Sequence, residues 1–185
     1  MIIETIFSTQ DASGLPNFAP MGITLDKGEI IVRPYRTTQT YRNLLATGYG
    51  VINFTDDVNA YVQSALFDIV LPYFEAQKVP GVVFQETCSW REIEIISTGG
   101  PPDRSDIHCR QLFEGHQRDF IGFCRASNAV IEAAILATRL HIFSKGEVLK
   151  DLERYKQIVL KTGGQTEKHA FQQVCDYIGE RMKND

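Results

Sequence analysis

Residues 34–57, PYRTTQTYRNLLATGYGVINFTDD, gather several kinds of anion-binding group in one stretch. Arg33, Arg36 and Arg42 stand among Thr37, Thr38, Thr40 and Asn43, and residues 30–55 hold no carboxylate. The run closes an expected strand and opens an expected helix. Hydroxyls, guanidinium groups and unpaired first-turn N–H donors therefore converge where the helix dipole is positive. That is the chemistry of a pocket for a phosphate monoester. A hydroxyl-rich helix start is ordinary on its own, so its neighbours matter. Upstream, Ala19, Pro20, Met21 and Gly22 are slim or flat and let a planar ring approach the main chain. Downstream, Val51, Asn53 and Thr55 share one strand face, whose polar members are expected to face the ligand. Together these features point to a phosphate-bearing, flat-ringed ligand held by apolar walls and a few convergent polar groups.

Other chemistries find less support. His108, Cys109, His116, Cys124 and Cys88 suggest a metal, but His108 and Cys109 are adjacent in an expected strand and face opposite sides. Neither Cys88 nor Cys124 has a base nearby in sequence, and free cysteine is usually buried. Asp56 and Asp57 suit Mg²⁺, although a helix-opening role explains the pair without a metal. Glu132 and Arg139, seven apart on an otherwise apolar stretch, read as a buried structural pair. No side chain stands out as a catalytic acid or base.

Composition narrows the setting. With 185 residues, 43% of them apolar, the chain can bury one substantial core with a small appended lobe. A net charge of −4 and a pI near 5.6 argue against a general nucleic-acid binder, which needs many Lys and Arg contacts on one face. No apolar run reaches the roughly 20 residues that span a bilayer, and the start, Met-Ile-Ile-Glu, lacks a basic n-region, so the expected setting is cytoplasmic and away from membranes. The four cysteines show no CxxC spacing and are expected to be reduced thiols.

The elements that must position the pocket follow from pattern. Strands are expected over 2–9, over 17–25 with Pro20 forcing an edge or a bulge, and over 28–34 after a turn at 26–28. Thr38 caps a helix over 39–47 that Gly48 stops, and a strand over 49–55 follows. Asp57 caps a helix over 58–67, and the segment to 84 reads as irregular. Residues 86–98 and 104–114 form a hairpin through Gly99-Gly-Pro-Pro102, and Gly115-His116 turns into a last strand ending near Phe123. Beyond Arg125 the pattern is helical. Residues 127–143 are apolar nearly all round, which predicts a helix between the barrel and another layer. Ser144 and Glu147 form a capping box before a helix carrying Val148, Leu152, Tyr155 and Val159, and a final helix from about 166 aligns Phe171, Val174 and Ile178. The expected domains are a β-rich 1–123 and a helical lobe, 124–185.

The succession NFAPMGIT, RPYRTTQTYRNL and GVINFTDD, followed by strands and a helical tail containing VIEAAILATRL, resembles the FMN-binding split-barrel (flavin reductase-like) superfamily. It looks closest to that superfamily's uncharacterised domain-of-unknown-function branch of archaea and methanopterin-using bacteria, which carries a C-terminal helical extension. The likeness covers nearly the whole chain and is most specific in the N-terminal block. It implies a mainly β fold, a Greek-key split β-barrel of about six strands plus a C-terminal three-helix lobe packed on it. It also implies a homodimer with FMN at the barrel rim near the subunit interface. By position, Arg36, Thr37, Thr38 and Thr40 would hold the phosphate, while residues 19–22 and the strand end with Asn53, Thr55 and Asp56 would line the ring and ribityl chain. Cys124 stands where the family pattern has an asparagine.

Three functional readings result. The first is an FMN-dependent oxidoreductase of the flavin-reductase type, with NAD(P)H or another small molecule as electron donor. The second is a binding protein that stores or senses FMN or shuttles electrons. The third is a non-flavin dimer whose arginines dock a phosphorylated partner.

Overall fold

The computed structural model describes residues 1–26 and 28–183; Lys27, at the centre of the expected 26–28 turn, lies outside them. The strands are β1 (Ile2–Gln10), β2 (Pro16–Asp26), β3 (Glu29–Val32), β4 (Tyr49–Phe54), β5 (Tyr73–Glu75), β6 (Val82–Phe84), β7 (Ser89–Gly99) and β8 (Asp106–His116). The helices are α1 (Gln39–Thr47), α2 (Val58–Leu66), α3 (Arg125–Ala137), α4 (Lys145–Thr162) and α5 (Gln165–Arg181).

Six strands close a barrel in the order β1-β2-β3-β8-β7-β4, every pair antiparallel. β4 returns to lie beside β1, which is the Greek-key order. Alternation along the strands sends Phe7, Ile23, Ile30, Val32, Ile52, Ile93, Ile107 and Cys109 into one buried cluster. α1 adds Leu44 to that cluster, so the helix is anchored on the barrel by an apolar plug. Its boundaries follow the sequence signals. Thr38 Oγ1 accepts from Tyr41 N, and Gly48, at φ +78°, donates its N–H to Leu44 O.

Residues 67–84 are more ordered than their composition suggests. β5 and β6 form a hairpin against the outside of β1 and β4, tied down by polar side chains. Ser8 Oγ donates to Val82 O, and Phe84 N donates to Asn53 Oδ1 at 2.9 Å. Glu92 is fully buried, and its carboxylate accepts from Gln77 N (2.8 Å), Lys78 N (2.6 Å), Val79 N (3.2 Å) and Trp90 Nε1 (3.1 Å). A buried carboxylate is tolerated where N–H donors surround it. Glu92 thus fixes the turn that joins β5 to β6.

The last expected strand is absent: β8 runs on through Gly115 and His116, and residues 117–124 form no strand. Gly115 does not mark a turn. It marks a close approach, since a Cβ there would sit 2.1 Å from Cζ2 of Trp90.

The second compact unit joins Asp56–Asp68 to the described residues from Ile121 onward. α2 falls between β4 and β5 in sequence, yet its neighbours are α3 and α5. Asp57 caps it, accepting from Asn59 N and Ala60 N, and Ser144 and Glu147 form the expected capping box of α4. Val148, Tyr155, Val159, Phe171, Val174 and Ile178 are all buried in this unit's core. α3 is shorter than the expected 127–143 helix, and residues 138–143 form turns and a bend. It buries a stripe of small residues, Ala126, Ala129, Ala133, Ala134 and Ala137, which lets its neighbours approach closely. Glu132 and Arg139 are both exposed, so they are not the buried pair expected from sequence. Glu132 lies off the alanine stripe, and Arg139 falls beyond the end of the helix. Among the described residues no helix is long and apolar enough to cross a membrane.

Glu92→Gln places an NH₂ group against main-chain N–H donors. It should cost about 1–3 kcal/mol in urea denaturation, and a loss below about 0.5 kcal/mol would show that the hairpin does not depend on this carboxylate.

Candidate functional site

The barrel wall parts between β2 and β3. β2 pairs with β1 from Ile2↔Thr24 to Gln10↔Pro16, but with β3 only from Ile23↔Val32 to Asp26↔Glu29. After Val32 comes Arg33-Pro34, and Pro34 has no N–H with which to continue a ladder. Arg33 holds the parting at one end: its Nε donates to Asp106 Oδ1 at 2.7 Å and its Nη1 donates to Thr24 Oγ1. The chain meets β2 again in the first turn of α1, where Asn17 Nδ2 donates to Thr40 Oγ1 at 3.2 Å. Residues 17–22 of β2 and residues 33–40 therefore border one opening. Pro20 lies in the stretch of β2 that pairs on one side only, where its missing N–H leaves no gap in a ladder. Ala19, Pro20, Met21 and Gly22 form one rim, and Arg36, Thr37, Thr38 and Thr40 belong to the other.

The second rim divides its groups between structure and solvent. Thr38 Oγ1 donates to Tyr35 O at 2.7 Å and accepts from Tyr41 N at 3.3 Å, so its hydroxyl is the helix cap. Thr40 is buried and engaged by Asn17. Thr37 is exposed, and its hydroxyl has no protein partner among the described residues. Arg36 is half-buried and fixed by three acceptors, Tyr41 Oη (2.6 Å), Pro101 O (3.2 Å) and Gly99 O (3.2 Å). Those bonds use three of its five N–H groups and leave two. In the first turn of α1 the Thr38 cap takes Tyr41 N, and Gln39 N and Thr40 N add donors that have no intrahelical acceptor. Two guanidinium N–H groups, one hydroxyl and a helix start, with no carboxylate in residues 30–55, fit a phosphate dianion.

The remaining expected residues sit elsewhere. Asn43 is buried on α1, donating to Thr9 Oγ1 at 3.1 Å and accepting from Gln39 Nε2, which ties the helix to β1. Asn53 is fully buried; its Nδ2 donates to Ile6 O and Ser8 Oγ, both at 3.0 Å, and its Oδ1 takes Phe84 N. Its carboxamide is engaged in holding the β5–β6 hairpin. Thr55 Oγ1 donates to Glu86 O at 3.1 Å. Asp56 belongs to the helical unit, where Oδ2 accepts from Ile121 N at 3.2 Å. Arg42 bends back onto its own helix, bonding Gln39 Oε1 and Thr37 O.

Sequence reasoning missed Asn17, whose bond to Thr40 closes the opening. It also missed the loop between β7 and β8, which lies along residues 33–36. Arg36 N donates to Asp103 O and Ser105 N to Pro34 O, both at 3.1 Å. The loop's Gly-Gly-Pro-Pro run was legible as a turn, but nothing local says which segment it covers.

Burial pushes the Cys109 thiol up to about 12, so it stays protonated at neutral pH and is no nucleophile. His108 Nδ1 and Glu29 Oε1 lie 2.9 Å apart on the outer face of β8 and β3, beside a cavity of 570 Å³ lined also by Ile96, Ser97 and Arg110. That cavity includes none of the expected site residues.

Residues 3–117 match the family described as protein of unknown function (DUF447) N-terminal domain, and residues 124–176 match protein of unknown function (DUF447). No curated protein matches the sequence. Among solved structures, the FMN-bound protein MM1853 from Methanosarcina mazei is 26% identical, with a TM-score of 0.84 over 95% of this chain and 94% of its own. The styrene monooxygenase flavin reductase of Pseudomonas putida S12 is 15% identical, with a TM-score of 0.54 over 62% of this chain and 81% of its own. An FMN-binding protein from Thermus thermophilus is 12% identical, with a TM-score of 0.54 over 62% and 70%. The latter two show that the barrel shares its fold with a flavin reductase and with an FMN-binding protein.

The two adjacent threonines should separate in stability measurements on ligand-free protein. Thr38→Ala removes the α1 cap and should cost about 0.5–2 kcal/mol, whereas Thr37→Ala should stay within about 0.5 kcal/mol of the parent.

Proposed function

The chain belongs to the DUF447 family, and from that premise we propose that it is an FMN-binding flavoprotein whose cofactor occupies the opening between β2 and residues 33–40. The observation that carries the reading is the parted barrel wall, because its two rims are built from the residues whose chemistry suits the two ends of a mononucleotide. Support also comes from the FMN-bound Methanosarcina mazei protein, whose fold matches over nearly the full length of both chains.

In this reading Arg36, Thr37 and the first-turn N–H groups of α1 hold the phosphate, while Thr38 and Thr40 shape the loop that presents them. Ala19, Pro20, Met21 and Gly22 offer a flat wall for the ring. From Asn17, beside the helix start, to Met21 is four residues of strand, about 13 Å, a span suited to a five-carbon chain with a tricyclic ring at its end. Bound FMN would supply hydride and electron transfer. The protein's part is to fix the phosphate, orient the ring against β2 and set the polarity around it. Residues 33–40 bring Arg33, Tyr35 and Arg36 to one rim, and the Glu4 carboxylate lies against Gly22 of the other; none of them is assigned as a proton donor or acceptor.

The finer reading is an oxidoreductase of the flavin-reductase type acting as a homodimer, with NAD(P)H or another small molecule as donor. Exposed apolar side chains favour a dimer: Ile121 and Phe123 are 87% and 95% exposed, and large apolar groups so placed are typical of interfaces. The second reading is a protein that stores FMN or shuttles electrons, in which no side chain of the rim transfers a proton.

Freshly purified protein should show flavin absorbance or take up added FMN stoichiometrically, and the Arg36→Ala, Thr37→Ala double variant should bind FMN at least about tenfold more weakly with its fold intact. A colourless protein that takes up no FMN would sink the reading. Rapid anaerobic bleaching of the bound flavin by NADH or NADPH would support the reductase, and no reaction with either would support the binder.

A further inference from the structure

Two guanidinium groups beside the opening are each stacked on a tyrosine and bonded to main-chain carbonyls. Arg36 lies over the ring of Tyr41, 5.4 Å from its centroid, and Arg104 lies over the ring of Tyr35 at 4.9 Å. Each is held by main-chain carbonyls: Arg36 by Pro101 and Gly99, and Arg104 by Arg33 O, to which its Nε donates at 2.7 Å. Tyr35 and Arg104 also form an isolated antiparallel β-bridge, which fixes the two backbones side by side. Four other arginines meet carboxylates, Arg33 with Asp106, Arg91 with Glu114, Arg110 with Glu94 and Arg154 with Asp151, whereas among the described residues Arg42 bonds only Gln39 Oε1 and Thr37 O. Arg36 and Arg104 have no ion pair among the described residues. Asp106 is already engaged by Arg33, and Asp103 meets Arg36 N through its main-chain oxygen.

Stacking and carbonyl bonds hold each group in one orientation, which lowers the ordering cost of receiving an anion. Arg104 donates through Nε alone, so its four Nη hydrogens remain for a ligand.

We infer that Arg104 is a second phosphate ligand of the opening, acting with Arg36 as a two-guanidinium clamp that makes the site select phosphorylated flavin over riboflavin. This rests on the FMN reading above and extends it to a residue 68 positions away from Arg36 in sequence. The β7–β8 loop is then part of the site. The Gly99 carbonyl at the end of β7 and the loop's Pro101 carbonyl orient one guanidinium, and the loop's Arg104 side chain supplies the other.

The test compares FMN with riboflavin on wild type, Arg104→Ala and Arg104→Lys, by fluorescence titration with thermal melts alongside. Arg104→Ala should weaken FMN at least about tenfold and leave riboflavin unchanged, collapsing the preference for the phosphorylated form. Arg104→Lys should recover part of it, since the charge returns without the planar fork. An FMN-to-riboflavin preference in Arg104→Ala equal to that of wild type would overturn the inference while leaving the FMN reading intact. Failure of wild type to bind FMN would instead remove the reading, and the inference with it. Should Arg104→Ala fail to fold, Arg104→Lys decides: an undiminished preference there, with FMN and riboflavin affinities both at wild-type values, counts against a guanidinium contact.

Discussion

The parting of β2 from β3 beyond the Ile23–Val32 pair is the constraint on which the rest of the site depends. A continuous ladder would have brought residues 33–36 against residues 19–22 and sealed the barrel wall with main-chain hydrogen bonds. Pro34 works against this, because it has no N–H to donate to a ladder. Pro20 removes a donor from the facing stretch of β2. The edges so released would be a liability in an ordinary sheet. Here the Arg33–Thr24 and Asn17–Thr40 bonds hold the two ends of the gap.

Much of the surrounding polar chemistry serves to keep that gap in shape. Asn43 and Thr9 seat α1 on β1, Leu44 plugs the barrel beneath it, and Asn53, Ser8 and Glu92 fasten the β5–β6 hairpin to the outside. Each of these buried polar groups has its partners, as burial requires. What is left over near the opening is a set of donors: Arg36, Arg104, the Thr37 hydroxyl and the first turn of α1. In the proposed reading the FMN phosphate is the anion that pairs with them.

The sequence revealed elements whose causes are local. Thr38 and Gly48 bound α1, Asp57 caps α2, and Ser144 with Glu147 opens α4, because each acts within one turn of its own helix. The β7–β8 hairpin was legible from its Gly-Pro loop for the same reason. Long-range causes were not. Gly115 looked like a turn because its true reason, the Trp90 ring across the ladder, lies 25 residues away. Asn53 looked ligand-facing from strand alternation, yet the β5–β6 hairpin covers that face and takes its carboxamide. Glu132 and Arg139 looked buried because an alanine-rich helix is apolar all round whether or not every side is covered. At the opening itself, residue type identified the two rims, but only the fold shows that Thr38 and Thr40 are structural and that Arg104 lies alongside.

The most direct measurement is a crystal structure of the protein grown with FMN. The account predicts phosphate oxygens within about 3 Å of the Arg36 guanidinium and the Thr37 hydroxyl, with the ring lying along residues 19–22. A phosphate bound elsewhere, for example beside His108 and Arg110, with the opening between β2 and residues 33–40 filled by side chains, would contradict it.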